Sequence, residues 1–331
     1  MPATTTTAIR IQLDRKGYRA ELKEMPIAEL SDGDVTVRVK WSAVNYKDAL
    51  AITGKGKILR NYPLNAGIDM AGEVVASANP EFKAGDKVLA TGCGLSETRD
   101  GGFSEYIKVD SSWLIPCPDG LDLRSAMILG TAGFTAALSL YRMEQNGQTP
   151  EHGPIVISGA SGGVGSLAIS ILNKAGYETH AISSKTEQFD YLQQLGAVQC
   201  ISAKELYWGE KPLEKARWAG AIDTVGADLL NGLTRSIKPW GNIASCGMAA
   251  GIALNTTVMP FIIRGISLLG INSAQCPTRL RKTLWQKLAK QWLPPSLALI
   301  CQQHISLSEL PEYSEDMLAG QTIGRTLVKI D

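Results

Sequence analysis

Residues 154–165 read PIVISGASGGVG, and this short segment determines how the rest of the chain is interpreted. Ile155, Val156 and Ile157 form a continuous apolar run, which is typical of a strand buried on both faces of a parallel sheet. The glycines that follow permit a tight turn, and residues 166–175 are predicted to be helical. A strand, a glycine-rich loop and a helix in this order are the elements with which a doubly wound sheet binds a dinucleotide pyrophosphate.

The sequence after this segment continues the same alternation. Apolar strands are predicted at 177–183, 218–223 and 241–246, and helices at 192–196 and 229–237 lie between them. Such βαβ alternation predicts a Rossmann-type, doubly wound parallel sheet.

The sequence before it has a different texture. Short alternating segments, such as those at 35–41 and 72–75, are separated by Gly, Asp and Pro and predict a β domain of barrel or sandwich type. A helix interrupted by Gly130 and Gly133 is expected over 124–141. Towards the end of the chain, an amphipathic helix is expected over 279–292, and a strand, a helix and a strand over 305–330 are expected to return to the first domain.

Composition limits the classes of function. The 331 residues suit two domains, and 44% hydrophobic with 20% charged residues is typical of a soluble globular protein. The net charge of +1 provides no general field for nucleic acid or an anionic membrane. The chain begins MPATTTT, without the pattern of a signal peptide, and we found no apolar run approaching 18 residues, so a cytoplasmic protein is expected. The six cysteines are widely spaced and are interpreted as isolated reduced thiols without zinc-site spacing.

The end of the second strand of the parallel sheet predicts which dinucleotide binds. NAD sites usually place Asp or Glu there to accept hydrogen bonds from the ribose 2′-hydroxyl, whereas this chain has Ser183, Ser184 and Lys185. Two hydroxyls and a cation suit a 2′-phosphate, so NADPH is the predicted cofactor. The alternatives are a glycine-rich turn without a ligand and a lysine that is merely solvated. The predicted contacts in the loop are Ser161, Gly162, Gly163 and Val164.

Several strings together resemble the zinc-free, quinone-oxidoreductase-like medium-chain dehydrogenases/reductases, and in particular the acrylyl-CoA reductase branch. The resemblance covers essentially the whole chain. Its strings are NYKDAL at 45–50, GIDMAG at 67–72, GTAGFTA at 130–136, the glycine loop at 159–165, WAGAIDTVG at 218–226, TVMPFI at 257–262 and GRTLVK at 324–329.

This resemblance implies an α/β protein with a GroES-like, β-barrel-type catalytic domain and a Rossmann domain with a doubly wound parallel sheet. We expect the catalytic domain at 1–124, completed by 294–331, and the NADP-binding domain at 125–293. It further implies a cleft where the domains meet and a homodimer, which we expect to pair through the apolar strand at 265–270. Additional cofactor contacts are expected from Tyr46, Thr131, Cys246, Gly247, Leu268 and Arg325.

The resemblance also implies the chemistry. Zinc-dependent relatives carry a Cys and a His near the positions of Tyr46 and Asp69, so no metal is expected here and hydrogen bonds must polarise the substrate. NADPH would deliver hydride to the β-carbon of an activated alkene, and Tyr46 would stabilise or protonate the enolate. Asn45 would orient the cofactor or the substrate carbonyl, and Asp69 would orient these groups or a water. The alternatives are a tyrosine that only packs and an aspartate that only shapes a turn.

Three functions remain open from the sequence. The first is reduction of a short enoyl-CoA such as acrylyl-CoA, for which Lys55, Lys57 and Arg60 would meet the CoA phosphates unless they form only a solvated basic loop. The second is reduction of a quinone or an enone on the same scaffold. The third is binding of NADPH without catalysis. The isolated residues His152, His180 and His304 are expected to be structural.

Overall fold

The computed structural model describes residues 3–330, and it divides into two units. The first unit comprises residues up to 131, 274–289 and those from 301 on, and the second comprises 132–273 and 290–300. The first two residues and the last residue of the predicted catalytic domain lie outside the described residues.

The first unit begins with a long antiparallel hairpin. Its two strands pair from Thr5 opposite Pro26 to Asp14 opposite Gly17, and Gly17 has a positive φ of 98° at the turn. The elements up to residue 116 are β1 (Thr5–Asp14), β2 (Gly17–Pro26), β3 (Val35–Ala43), α1 (Tyr46–Thr53), β4 (Leu64–Asn65), β5 (Asp69–Ser77), β6 (Lys87–Thr91), β7 (Tyr106–Val109) and β8 (Ile115–Pro116).

A long helix follows and is broken at one glycine. The helix α2 (Leu123–Gln145) has non-helical angles at Gly130, with φ 48° and ψ −153°, so the predicted interruption is observed there and not at Gly133. Within the described residues, α2 alone has the length and apolar composition of a membrane span, but 83% of its most apolar window is buried inside the protein. This burial is what a core helix of a globular domain shows.

The second unit contains the predicted parallel sheet. Its elements are β9 (Ile155–Ser158), α3 (Gly163–Lys174), β10 (Thr179–Ser183), α4 (Phe189–Gln194), β11 (Ala197–Ser202), β12 (Trp218–Asp223), α5 (Ala227–Ser236), β13 (Ile237–Ser245), α6 (Met259–Arg264) and β14 (Ser267–Gly270). The strand order is β11-β10-β9-β12-β13-β14, and every neighbouring pair is parallel. This is the doubly wound order 3-2-1-4-5-6, in which the chain reverses direction across the sheet between β9 and β12.

The remaining elements are α7 (Thr278–Lys290), α8 (Leu297–Ile300), β15 (Cys301–Ile305), α9 (Leu310–Leu318) and β16 (Arg325–Lys329). The last two strands complete the large sheet of the first unit, whose order is β15-β16-β3-β5-β6-β8, with β7 also paired to β3. Ile305, Leu310 and Val328 join the same buried cluster as Ile9 and Val37. The end of the chain therefore returns to the first domain, as expected.

The boundaries of the units differ from the predicted domains in three places: residues 125–131 lie in the first unit, residues 294–300 lie in the second, and the largest difference involves α7. Residues 274–289, which include most of α7, belong to the first unit and not to the Rossmann domain. Arg281 is buried on α7 and donates hydrogen bonds to the backbone oxygen (2.7 Å) and the hydroxyl (3.0 Å) of Thr91. The sequence pattern revealed the amphipathic helix but not the sheet against which it packs.

Candidate functional site

The glycine-rich loop lies between β9 and α3, at the point where the strand order reverses. Gly159 has a φ of 57°, and a side chain on Gly165 would place its Cβ 2.4 Å from the Gly159 carbonyl oxygen. Both positions therefore require glycine. The first turn of α3, which begins at Gly163, presents backbone N–H groups that the helix itself cannot pair. Such a bare helix N-terminus fits the pyrophosphate of a dinucleotide.

The second strand of the sheet, β10, ends at the residues that were predicted to select the dinucleotide. Ser183 is buried, and its hydroxyl lies 3.1 Å from the hydroxyl of Ser161, so these two serines brace the loop against the strand. Ser184 is exposed and Lys185 is half-buried, and burial lowers the pKa of Lys185. Ser184 and Lys185 are thus the members of this group best placed to reach a ligand.

A cavity of about 280 Å³ lies at the carboxyl ends of β12 and β13. Cys246 and Gly247, both predicted cofactor contacts, line it. Burial and the nearby Asp223 raise the pKa of Cys246 to about 12, so this residue remains a neutral thiol. Leu268 does not line this cavity; it lies on β14, packed against the core of the second unit.

In the first unit, Tyr46 is the first residue of α1, and its side chain is 43% exposed. Asn45 precedes it, and the backbone N–H of Asn45 donates to the carboxylate of Asp48 at 2.9 Å. A carboxylate three residues after the cap residue is the reciprocal half of a capping box. The start of α1 is therefore fixed while the phenol of Tyr46 stays accessible.

The side chain of Asn45 is fully occupied by neighbouring groups. Its amide nitrogen donates to Asp69 (2.9 Å), to Asp48 (3.1 Å) and to the backbone oxygen of Ala43 (3.2 Å). Its amide oxygen accepts a hydrogen bond from Arg325 at 3.1 Å. With these bonds made, both amide hydrogens of Asn45 are engaged within the protein.

Asp69 is the centre of this buried network. Its carboxylate accepts hydrogen bonds from the hydroxyl (2.5 Å) and the backbone N–H (2.9 Å) of Thr131, and a guanidinium nitrogen of Arg325 lies 3.7 Å away. Burial raises the pKa of Asp69, although Arg325 opposes the rise. The lack of a side chain at Gly130 makes this approach possible, because a Cβ there would lie 2.6 Å from the carboxylate.

Two of the predicted site residues, Asp69 and Arg325, are almost completely enclosed. The exposed fractions of Asp69 and Arg325 are 0% and 2%, so neither presents surface to a ligand. Arg325 was predicted to contact cofactor, but it donates instead to the backbone oxygens of Val44 and Ile128. Sequence reasoning missed Asp48, although its spacing of three from Asn45 was a readable signal.

The predicted basic loop after α1 is divided between two environments. Lys57 and Arg60 line a second cavity together with Lys47 and Glu97, whereas Lys55 pairs with Glu315 on the surface. Neither Lys47 nor Glu97 was singled out from the sequence.

The metal and thiol predictions can be compared with the same structure. All six cysteines are free thiols. Across residues 3–330, the structure brings together no group of three or more His, Cys, Asp or Glu side chains suited to a metal ion. Two of the three histidines have structural contacts: His180 accepts a hydrogen bond from the indole of Trp218 at 3.1 Å, and the ring of His304 lies 5.2 Å from that of Trp41.

Known proteins match this chain along its length. Residues 31–119 match the alcohol dehydrogenase GroES-like domain, and residues 163–290 match the zinc-binding dehydrogenase family. The probable acrylyl-CoA reductase AcuI of Escherichia coli is 47% identical over 94% of this chain and 96% of its own. The putative quinone oxidoreductase YhfP of Bacillus subtilis is 43% identical over 99% of this chain and 100% of its own.

Solved structures of relatives agree with the fold. The yhdH oxidoreductase of Salmonella enterica, crystallised in complex with NADP, is 44% identical, covers 98% of this chain and 100% of its own, and has a TM-score of 0.94. The crystal structure of Bacillus subtilis yhfP with NAD bound has the same TM-score, with 99% of this chain and 100% of that one covered at 42% identity.

Fold and matches together define a two-domain oxidoreductase with a GroES-like and a Rossmann part. The chain belongs to the medium-chain dehydrogenase/reductase family, in which its relatives at 42–47% identity include acrylyl-CoA reductases and a putative quinone oxidoreductase. The predicted family and fold class are confirmed.

Proposed function

We propose that this protein is an NADPH-dependent reductase of an activated carbon–carbon double bond, and that its substrate is a short enoyl-CoA, with acrylyl-CoA reduced to propionyl-CoA. The observation that carries the reaction type is the accessible phenol of Tyr46, held at the start of α1 by the buried network of Asn45, Asp48 and Asp69. The choice of substrate is supported by the acrylyl-CoA reductases among the relatives.

The predicted cofactor is confirmed by relatives crystallised with NADP or NADPH, although one relative was crystallised with NAD. When bound, NADPH supplies the hydride for the β-carbon of the alkene. In this chain, Gly162, Gly163 and Val164 would hold the pyrophosphate at the N-terminus of α3. Ser184 and Lys185 would meet the 2′-phosphate, and Cys246 and Gly247 would line the cavity occupied by another part of the cofactor.

The residues of the first unit would act on the negative charge that develops when the β-carbon receives hydride. A neutral phenol donates a hydrogen bond to the thioester oxygen, and this bond strengthens as that oxygen becomes an enolate. The proton of the Tyr46 hydroxyl is then proposed to pass to the α-carbon, which completes the reduction, and solvent water restores the proton on the phenolate. Asn45, Asp48 and Asp69 act through Tyr46 by fixing the backbone from which it projects.

Quinone or enone reduction is the second candidate. It is favoured by the 43% identity to a putative quinone oxidoreductase, and the same donor geometry would serve a quinone oxygen. The third candidate is NADPH binding without catalysis. It differs from the other two because no substrate is turned over.

One assay distinguishes these functions. Oxidation of NADPH is followed with acrylyl-CoA, crotonyl-CoA and a simple quinone in parallel, at equal enzyme concentration. We expect rapid oxidation with acrylyl-CoA. Turnover with the quinone alone would assign the second function, and tight NADPH binding without any turnover would assign the third.

The quaternary structure that we propose is a homodimer. The strand β14 forms one edge of the parallel sheet, and exposed apolar side chains lie on the segments before it: Trp240, Val258, Ile262 and Ile263. An exposed strand edge beside an apolar patch invites uncontrolled association unless a symmetric partner covers it. Solution scattering at micromolar concentration should give the mass of a dimer, and a monomer would contradict the proposal. We further propose that the enzyme is cytoplasmic and that it works without zinc.

A further inference from the structure

The second cavity lies entirely within the first unit and has a volume of about 460 Å³. Its lining residues come from α1, from the loop that follows it and from the loop after β6: Lys47, Lys57, Ile58, Leu59, Arg60 and Glu97. Three of them are cations and one is a carboxylate, so the lining carries an excess of positive charge.

The walls of this cavity are held in place by the fold. Leu59 is buried in the core, and the backbone N–H of Arg60 donates to the carbonyl oxygen of Glu97 at 2.7 Å. This bond ties the basic loop to the loop after β6. Lys57 and Arg60 are both exposed, so their charged groups remain accessible beside a fixed backbone.

Lys47 is held differently from the other two cations. Its ammonium group pairs with the carboxylate of Glu97, and the two side chains are only 33% and 16% exposed. Burial lowers the pKa of Lys47; the nearby Asp48 opposes this fall, and Arg60 adds to it. An added anion stabilises the charged forms of cations that lie this close together. In the protein itself, the carboxylate of Glu97 provides such a negative charge to Lys47.

We propose that this cavity binds the phosphate groups of a CoA thioester, with Lys57 and Arg60 as direct partners and Glu97 as an internal competitor for Lys47. This inference rests on the proposed function and adds the part of the protein that recognises the substrate's nucleotide. A guanidinium group pairs with two phosphate oxygens at once, and an ammonium group adds a point charge, so the combination suits a diphosphate or a phosphate monoester.

The test compares a thioester that carries phosphates with one that does not. Acrylyl-CoA and acrylyl-N-acetylcysteamine have the same reacting group, so the ratio of their kcat/KM values isolates recognition of the nucleotide. We expect the double variant Lys57→Gln/Arg60→Gln to lower this ratio by roughly 10-fold or more, because two charged partners are lost. Glu97→Gln should raise the ratio, since Lys47 is then released. The matched control Lys55→Gln, from the same loop but outside the cavity, should leave the ratio unchanged.

Binding of CoA itself provides a second measurement. Calorimetry with CoA and with 3′-dephospho-CoA, at saturating NADPH, shows which phosphate the cavity holds: equal loss of affinity for both ligands in the double variant assigns the diphosphate, and loss for CoA alone assigns the 3′-phosphate. If the wild type reduces both thioesters and the ratio is unchanged in the double variant, the proposed binding of phosphate in this cavity is wrong. The proposed function is then unaffected. If the wild type reduces neither thioester, the proposed function fails. The cavity is then judged by calorimetry, where equal CoA affinity in wild type and double variant overturns it.

Discussion

The glycine-rich loop of the second unit and the polar network around Asp69 in the first unit use different chemical groups. In the loop, the groups offered to a ligand are backbone N–H groups that follow one another along the chain, and the side chains are mostly absent because glycine is needed. In the network, side chains from α1, β5, the break in α2 and β16 meet around Asp69. A backbone site depends on local conformation, whereas a side-chain site depends on the whole domain.

This difference predicts that substitutions in the two regions will have different signatures. A substitution at Tyr46, the exposed residue beside the network, should lower the rate of the chemical step and leave the affinity for the cofactor unchanged. A substitution beside the glycine-rich loop should change the preference between NADPH and NADH and leave the rate of the chemical step unchanged. The following variants test that separation, beginning with the largest expected effect.

Tyr46→Phe should lower the rate of the chemical step by roughly 100-fold or more, with NADPH affinity nearly unchanged, because removal of one donor to a developing oxyanion has this scale. Single-turnover kinetics at saturating NADPH measures the step. Tyr207→Phe, which removes the hydroxyl of another exposed tyrosine in the second unit, is the matched control. An unchanged rate in Tyr46→Phe together with weaker NADPH binding would mean that the ring only packs against the cofactor.

Lys185→Asp should reduce the preference for NADPH over NADH by roughly 30-fold, about 2 kcal/mol, because a cation near the 2′-phosphate is replaced by a repelling carboxylate. The ratio of kcat/KM for the two cofactors measures the change. Lys215→Asp alters the charge of the same unit at another exposed lysine and should leave the ratio as it is. Equal use of both cofactors by the wild type would show that the end of β10 was wrongly interpreted.

Asp48→Asn tests the electrostatics of the network through pH. Burial and the neighbouring Asp69 raise the pKa of Asp48 from 3.8 to about 7. A carboxyl with a raised folded-state pKa contributes stability below its unfolded value, and that contribution is lost as the pH rises towards the folded value. The free energy of unfolding of the wild type, relative to Asp48→Asn, should therefore decrease between about pH 4 and pH 7 and then level off.

Urea unfolding at four pH values from 4 to 8 measures this trend. Asp119→Asn, which removes an exposed carboxyl, is the control for the loss of one charge. A constant difference between wild type and Asp48→Asn across the range would contradict the assignment of a buried, protonated Asp48 at low pH.

The same contrast explains what the sequence could predict. The glycine loop and the apolar strand before it are contiguous, so the sequence shows the strand, the turn and the helix together. The contact between Arg325 and Asn45 joins residues 280 positions apart, and the sequence alone does not show that the Arg325 side chain is buried against Val44 and Ile128. The family motif placed Arg325 near the site, but these buried contacts with the protein backbone had no readable sequence signal.

The helix α7 provides a second example. Leu280, Leu284 and Leu288 at four-residue spacing predicted an amphipathic helix; Leu284 and Leu288 are fully buried, and Leu280 is half-buried. The pattern carries no information on which sheet covers that face, because any apolar surface satisfies it. Arg281, which donates to Thr91, determines the partner through a specific hydrogen bond.

Isotope transfer from the cofactor distinguishes hydride transfer to the β-carbon from other routes to the reduced thioester. NADPH deuterated at the transferred C4 position is incubated with acrylyl-CoA in ordinary water, and the product is analysed by mass spectrometry and NMR. We expect propionyl-CoA with one deuterium on the β-carbon and a solvent-derived proton on the α-carbon. Deuterium on the α-carbon, or a product without deuterium, would contradict it.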